Sequence, residues 1–262
     1  MVRHGPGGQV FCRTSMAISS HGAHQRELAT SMLGRIKRAT WIYVMRNVFF
    51  LRLQERKGRD YFFYNAFRAL SFNGISGDYV EFGSWGGMTF ALAHRQARRH
   101  GHGGKLWAFD SFEGLPRQSK AEDQHPLWKH GAMSTSEAEF HAICASNGIP
   151  RDEYQTVPGF YDQTLPQLGA SSAPTDIALA YVDCDLYSST MSVIEFLLPR
   201  LKHGMIIAFD DYFCWSATQL SGERRAQLEF FSRHSRWELV PFVQFGWHGQ
   251  SFVVEDRKIL GA

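Results

Sequence analysis

From Asp78 onward, the chain alternates short runs rich in β-branched and aromatic residues with longer stretches of helical spacing. This alternation is typical of a parallel sheet flanked by helices, because parallel neighbours need a long crossover between them. The predicted strands are 78–82, 106–110, 154–157, 177–183 and 205–210. The predicted helices are 88–99, 137–146, 188–201 and 223–234. Two final strands, 237–242 and 251–254, are predicted to close the sheet as an antiparallel hairpin.

Ser134 and Glu137 have the spacing of a capping box and are predicted to begin the second of these helices. The whole pattern indicates an α/β, Rossmann-like fold with a mostly parallel sheet. Domain boundaries follow from it: a flexible N-terminal arm over 1–25, a basic helical segment over 26–70 and one sheet domain over 71–262.

The net charge of +3 combines two opposed parts of the chain. Residues 26–68 contain ten Lys/Arg and three Asp/Glu, whereas residues 69–262 contain 16 basic and 22 acidic side chains. Segment 41–53 is apolar except at Arg46, Asn47 and Arg52, which makes it a poor membrane span. It is interpreted as a lid, as a helix packed on the domain or on a second subunit of a homo-oligomer, or as a basic helix on an anionic membrane.

The apolar share of 44% excludes a disordered chain. Four cysteines without a C-x-x-C pair are too few for a disulfide scaffold. The start of the chain has no apolar stretch of signal-peptide type. We therefore expect a cytoplasmic protein.

A glycine cluster lies where the first predicted strand passes into a helix. Gly83, Ser84 and Gly87 are spaced for a tight turn that lets a ligand approach the backbone, and they do not form the G-x-G-x-x-G fingerprint. Glu81, inside the strand end, suits a ligand with a cationic group such as an amino-acid ammonium. A turn with no ligand is the alternative.

Asp110 ends the second predicted strand and is followed by Ser111. An acid at this place in a doubly wound sheet can accept both hydroxyls of a ribose. Together with Glu81 it describes an adenosine carrying an amino acid, which S-adenosylmethionine satisfies. Gly159 and Phe160, after the third strand, could place a ring against the adenine, and a loop cap at Asp110 and a core Phe160 are the alternatives.

Two pairs of acids follow the fourth and fifth strands. Asp183 and Asp185 form the first pair, and Asp210 and Asp211 form the second. Neighbouring parallel strands end at one edge, so all four carboxylates should gather there and repel one another unless a cation is present. Oxygen ligands favour Mg²⁺. We expect Asp183, Asp210 and Asp211 to hold the metal, and Asp185 to act as general base; two sets of helix caps are the alternative.

Five motifs in this region resemble the macrocin O-methyltransferase family, which includes Mg²⁺-dependent sugar O-methyltransferases. They are GDYVEFGSWGG (77–87), FDSFEGLP (109–116), VPGFYDQTLP (157–166), YVDCDLYSST (181–190) and IIAFDDY (206–212). The resemblance implies a Rossmann-like sheet with a reversed last strand and S-adenosylmethionine as methyl donor. It also implies the same roles for Asp183, Asp185, Asp210 and Asp211, with Asp183 beside the cofactor as well.

The arm before residue 70 and the stretch 222–226 do not match the sugar-modifying members closely, so the resemblance does not identify the acceptor. The predicted function is Mg²⁺-dependent O-methylation of a vicinal diol on a sugar or other small-molecule natural product. Catechol methylation is the nearest alternative, and a membrane-surface or assembly module is an alternative of another class. A phosphotransferase is disfavoured because the chain has no P-loop, and nucleic acid because the main domain is acidic.

Overall fold

The computed structural model describes residues 18–118, 120–126, 128–169, 172–259 and 261, and it describes only the backbone of residues 18–33 and 35. The chain divides into two units, Met1–Leu53 and Gln54–Ala262. Helix α1, Ile18–Phe72, includes the basic segment 26–70. Residues 1–17 of the predicted arm lie outside the described residues. No helix in the described ranges has both the length and the apolar character needed to cross a membrane.

Within the described part of the second unit, seven strands form one sheet. They are β1 Asp78–Phe82, β2 Leu106–Asp110, β3 Tyr154–Pro158, β4 Ile177–Val182, β5 Ile206–Phe209, β6 Trp237–Phe245 and β7 Gly249–Asp256. Their order is β3-β2-β1-β4-β5-β7-β6. The first five are parallel, and β7 runs antiparallel to β5 and β6. This arrangement confirms the predicted α/β fold with a reversed last strand.

The helices that connect the strands are α2 Met88–Arg99, α3 Glu137–Ser146, α4 Tyr161–Thr164, α5 Tyr187–Leu197 and α6 Gly222–Phe231. They cover both faces of the sheet. Successive strand residues point to opposite faces, so neighbours in the sequence belong to different cores. Tyr79 belongs to a core shared with α2, α3 and the last turns of α1. Its neighbour Val80 belongs to the core under α5 and α6.

The predicted cap of α3 was wrong by two residues. The helix begins at Glu137, so its cap is Ser136, whose hydroxyl accepts a hydrogen bond from the backbone N–H of Glu139 at 3.3 Å. The Glu139 carboxylate in turn accepts from the backbone N–H of Ser136 at 2.9 Å. Both Ser-x-x-Glu pairs satisfy the sequence pattern, and only the position of the first helical turn distinguishes them.

Residues 54–72 of α1 pack directly on the sheet. A Cβ at Gly58 would lie 2.8 Å from the backbone nitrogen of Gly246, so only glycine permits this approach. One turn later, the rings of Phe62 and Phe245 stack with centroids 4.6 Å apart. These contacts bring Arg59, which lies between them in sequence, to the carboxyl end of β5.

Candidate active site

Four site residues continue the hydrogen bonding of the sheet beyond the strand ends. The backbone N–H groups of Gly83, Gly159, Asp183 and Asp210 donate to carbonyls of the neighbouring strands at 2.8–2.9 Å. The loops after β1, β3, β4 and β5 are therefore held side by side at one edge, where ligands bind in open α/β sheets.

A cavity of about 270 Å³ opens at this edge. Its lining includes these residues predicted from the sequence: Gly83, Asp110, Ser111, Gly159, Phe160, Asp183 and Asp185. The rest of the lining includes Trp85, Leu115, Met133 and Ser188. The other predicted residues, Glu81, Ser84, Gly87, Asp210 and Asp211, do not line it.

The carboxylate of Asp110 is held in place by two backbone groups. It accepts from the N–H of Ser84 through Oδ2 and from the N–H of Phe112 through Oδ1, both at 2.7 Å. Burial raises the pKa of Asp110, and these two bonds oppose that rise. Each oxygen retains acceptor capacity and the residue lines the cavity, so the carboxylate can receive hydroxyl groups there. Ser111 instead donates its hydroxyl to the Gly114 carbonyl at 2.8 Å.

Two glycines are required by the packing of the loops. Gly83 has φ +93°, and a Cβ there would lie 1.9 Å from the carbonyl oxygen of Asp183. Gly159 has φ +124°, and a Cβ there would lie 2.3 Å from the hydroxyl oxygen of Thr164. A side chain at either position would push the loops apart, so these glycines shape the cavity as well as giving access to it.

Glu81 lies inside the protein, not in the cavity wall. Its side chain is completely buried, and its two carboxyl oxygens accept hydrogen bonds from the hydroxyls of Tyr79 and Thr89. Burial raises the pKa of Glu81 from 4.5 to about 8. A carboxyl that is neutral at pH 7 and shielded from the cavity has the properties of a structural group. The sequence had instead suggested that Glu81 binds the ammonium group of a ligand.

Ser84 and Gly87 also lie behind the cavity wall. The hydroxyl oxygen of Ser84 is buried and has no hydrogen-bond partner among the described residues. Gly87 adopts φ +59° at the start of α2, where a Cβ would lie 2.9 Å from a methyl carbon of Ile143. Gly87 is therefore explained by helix packing.

Asp210 is paired with a cation that the chain itself supplies. The Arg59 guanidinium donates from Nε to Oδ1 at 3.0 Å and from a terminal nitrogen to Oδ2 at 2.5 Å. The Tyr181 hydroxyl also donates to Oδ1. Burial alone would raise the pKa of Asp210, but Arg59, helped by His248 and Tyr181, lowers it. One of the four predicted acids is thus neutralised without a metal, which sequence reasoning did not foresee.

The other three acids lie close together, and no Lys or Arg of the described residues forms an ion pair with them. Burial and then the charges of Asp210 and Asp211 raise the pKa of Asp183. Burial and then Asp211, through charge and a carboxyl hydrogen bond, raise the pKa of Asp185. Asp185 also adopts φ +60°, a left-handed conformation that is strained for a residue with a side chain. Buried acids with raised pKa values, such as Asp183 and Asp185, are typical of functional sites.

Glu223, at the start of α6, completes the cluster. It is fully buried, and its carboxylate accepts from the backbone N–H groups of Cys184 at 2.9 Å and Asp211 at 2.8 Å. It thereby ties together the loops after β4 and β5. Carboxylate oxygens of Asp183, Asp211 and Glu223 lie within 4.8 Å of one another, a spacing that fits one oxygen-coordinated cation.

A second group of the same size includes Asp210, Asp211 and His248. His248 lies between β6 and β7, and its Nδ1 is 2.7 Å from the backbone carbonyl oxygen of Asp210. Its Nε2 is buried and has no hydrogen-bond partner among the described residues. The three predicted metal ligands are therefore spread over two groups that share Asp211.

The sequence reasoning missed three residues of this site, Arg59, Glu223 and His248. They come from α1, α6 and the last hairpin, and none is close in sequence to the acids that it contacts. The excess of basic residues in 26–68 was visible, but it did not distinguish Arg59 from the nine other Lys/Arg of that segment.

Comparison with known proteins identifies the family of this chain. Residues 57–230 match the family described as macrocin-O-methyltransferase (TylF). The chain belongs to the macrocin-O-methyltransferase family. The matched region begins just before Arg59 and includes every site residue described above except His248.

Two curated relatives are named for methylation of natural products. One, from Streptomyces olivaceus, is 8-demethyl-8-(2,3-dimethoxy-α-L-rhamnosyl)-tetracenomycin-C 4'-O-methyltransferase; it is 35% identical over 147 residues, 53% of this chain and 54% of the relative. Mycinamicin III 3''-O-methyltransferase from Micromonospora griseorubida is 28% identical over 173 residues, 62% of this chain and 63% of the relative. The matches thus span 54–63% of these relatives' lengths.

The solved structure of the calicheamicin methyltransferase CalS11 has a similar fold. Its TM-score is 0.62 at 20% identity, and the match covers 95% of this chain and 99% of that chain. At this identity the likeness shows the shared fold.

Proposed function

We propose that this chain transfers a methyl group from S-adenosylmethionine to a hydroxyl oxygen of a sugar-bearing small molecule, with Mg²⁺ at the acid cluster. The observation that carries the proposal is the cavity that joins Asp110 to Asp183 and Asp185 in a chain of this family. One end of the cavity has the carboxylate that a ribose needs, and the other has the acids that a hydroxyl acceptor needs.

On the cofactor side, the backbone bonds to Asp110 orient its carboxylate towards the ribose hydroxyls. Phe160 lines the same cavity and offers a ring to the adenine. Gly83 leaves space for the amino-acid part beside β1. Asp183 lines the cavity and belongs to the acid cluster, which supports both of its predicted roles.

On the acceptor side, Asp185 would take the proton. The pKa of Asp185 is raised, and a higher pKa makes its ionised carboxylate a stronger proton acceptor. The acceptor O–H would give its proton to Asp185 as its oxygen displaces the sulfur at the methyl carbon, so that the carbon–oxygen bond forms while the carbon–sulfur bond breaks. The products would be a methyl ether, S-adenosylhomocysteine and protonated Asp185.

The donor set fits a hard divalent cation. Asp183 and Asp211 would hold it together with Glu223, because the carboxylates of these three residues form one group. Asp210, the third predicted ligand, belongs to the neighbouring group with Asp211 and His248 and is already paired with Arg59. Buried acids with raised pKa values, such as Asp183 and Glu223, gain most from a positive charge, and carboxylate oxygens match the preference of Mg²⁺. When bound, the metal would supply charge that polarises an acceptor hydroxyl.

The acceptor class rests on the relatives. The Streptomyces olivaceus relative is named for the 4' position of a 2,3-dimethoxyrhamnosyl group, where the neighbouring oxygen is a methoxy. We therefore propose a sugar hydroxyl with a second oxygen on the adjacent carbon. A vicinal diol is the form in which both oxygens could approach the acid cluster most closely.

Calorimetry of the full chain with S-adenosylmethionine tests the cofactor. We expect Asp110→Asn to weaken binding by about tenfold or more, because a charge-assisted hydrogen bond contributes about 1.5–3 kcal/mol. Glu113→Gln, an exposed acid three residues away, is the control. A folded wild type that gives no heat of binding would refute the methyltransferase proposal.

The metal has a separate test. We expect Asp211→Asn to lose Mn²⁺ binding, followed by electron paramagnetic resonance, while S-adenosylmethionine binding is retained. Methyl transfer that continues unchanged in EDTA would refute the metal proposal and leave the cofactor proposal intact.

A further inference from the structure

Residues 34–53 of α1, here called the apolar helix segment, expose an unusual amount of apolar surface. Ten large hydrophobic side chains between Ile36 and Leu51 are each 38–68% exposed. The most exposed include Trp41, Tyr43, Phe49 and Leu51. The functional proposal above makes no use of this surface.

The exposed area is too large for a typical soluble monomer. Ten large side chains of about 150–250 Å² each, roughly half exposed, present about 1,000 Å² of apolar surface. The largest apolar patch on a typical monomer is about 300–600 Å². The segment therefore has the surface of a helix that is covered by a partner.

The distribution of the apolar residues shows what kind of partner fits. Successive helix residues are about 100° apart, so residues 41–45, all apolar and all exposed, occupy the whole circumference. A helix on a membrane surface keeps one polar face in water. A helix that is apolar all round is enclosed by protein or spans a membrane, and no helix in the described ranges is long and apolar enough to span one. In the unit Met1–Leu53, the described residues form this one helix and supply no other element to enclose it.

We propose that a second copy of this chain covers the apolar helix segment. Two copies whose segments lie side by side would each cover about half of the other's apolar surface and bury about 1,000 Å² in total, which reaches the lower size of specific interfaces. A two-fold pairing of identical segments closes on itself.

The charge of the segment distinguishes pairing with a second copy from binding to a membrane or to an acidic protein. The segment contains five Lys/Arg and no Asp/Glu, so two copies repel each other while their apolar side chains attract. Salt screens this repulsion, and pairing should therefore tighten as salt rises. Binding to an anionic surface would weaken with salt.

Sedimentation velocity of the full chain tests the pairing. We expect a dimer at micromolar concentration, with a severalfold lower dissociation constant at about 500 mM than at about 50 mM NaCl. Phe49→Glu should raise the dissociation constant by more than tenfold, because it places a carboxylate in the apolar contact. Ile259→Glu changes an equally exposed apolar residue outside the segment and should behave as wild type. Circular dichroism will verify that each variant is folded.

Each contrary result overturns the proposal. A wild type that stays monomeric, whether or not it floats with phosphatidylglycerol vesicles, means that no second copy covers the segment. A Phe49→Glu variant that dimerises as wild type means that another surface forms the dimer. Pairing that weakens with salt means that the partner surface is acidic. None of these outcomes bears on S-adenosylmethionine binding, so this proposal and the functional one stand or fall separately.

Discussion

Replacing Glu81 with glutamine will test whether the acid at the end of β1 is a neutral structural group or a charged cofactor ligand. In the folded chain its pKa is about 8, raised by burial from 4.5. Glutamine has almost the same shape and can hydrogen-bond to the hydroxyls of Tyr79 and Thr89, which contact Glu81 now. The substitution therefore removes the ionisation and little else.

The sign of the effect follows from proton linkage. Between pH 4.5 and about 8 the unfolded chain releases the Glu81 proton while the folded chain keeps it, so the free energy of unfolding falls as pH rises. The slope approaches about 1.4 kcal/mol per pH unit. Glu81→Gln lacks this loss. Its stability relative to wild type should rise by about 2 kcal/mol from about pH 6 to about pH 8.

Urea denaturation of both proteins at the two pH values measures this difference, and other titrating groups cancel in the comparison. Glu195→Gln, an exposed acid on α5, should show no such trend. S-adenosylmethionine affinity should change little in Glu81→Gln. A stability difference that is the same at both pH values, together with a cofactor affinity at least tenfold weaker, would refute the structural role and support an ionised ammonium ligand.

Two further substitutions test the packing of the site by urea denaturation. Gly83→Ala should destabilise by about 3 kcal/mol or more, because its Cβ would meet a backbone carbonyl at 1.9 Å; Gly86→Ala, with φ +67° and no atom within 4 Å, should cost only the left-handed strain of about 1–2 kcal/mol. Equal losses would contradict the steric reasoning. Arg59→Met should cost about 3–5 kcal/mol by leaving Asp210 buried and unpaired, whereas Arg95→Met, which breaks an exposed ion pair, should cost about 1 kcal/mol or less. A similar loss in both arginine variants would mean that the Asp210 pair is not important for stability.

Much of the fold could be predicted because its signals are local. The predicted strand over 78–82 matches β1 residue for residue, and the helix over 88–99 matches α2. Alternation, apolar runs and glycines at the turns are properties of neighbouring residues, and they survive in any context that buries the sheet. The ends of β6 and β7 were less well predicted, since pairing in the hairpin continues up to Phe245 and Gly249 beside the turn and out to Asp256 at the other end.

The site could be predicted in outline for a related reason. Parallel strands must end at one edge, so acids that follow β4 and β5 meet there whatever else the chain does. The protonation states of those acids could not be predicted in this way. The pKa of Asp210 is lowered because Arg59 arrives from a helix about 150 residues earlier. The pKa of Asp185 is raised because burial, and then the neighbouring Asp211, disfavour its ionised form.

The sequence by itself determined the class of fold, the edge at which a ligand binds and the acids gathered there, since periodicity and strand order follow from local chemistry. Only the tertiary structure decided that Glu81 is sealed away from the cavity, that Arg59 neutralises Asp210 and that Glu223 joins the two acidic loops. Burial and pairing depend on which distant groups pack together. These same two quantities set the charge of a carboxyl and therefore its role.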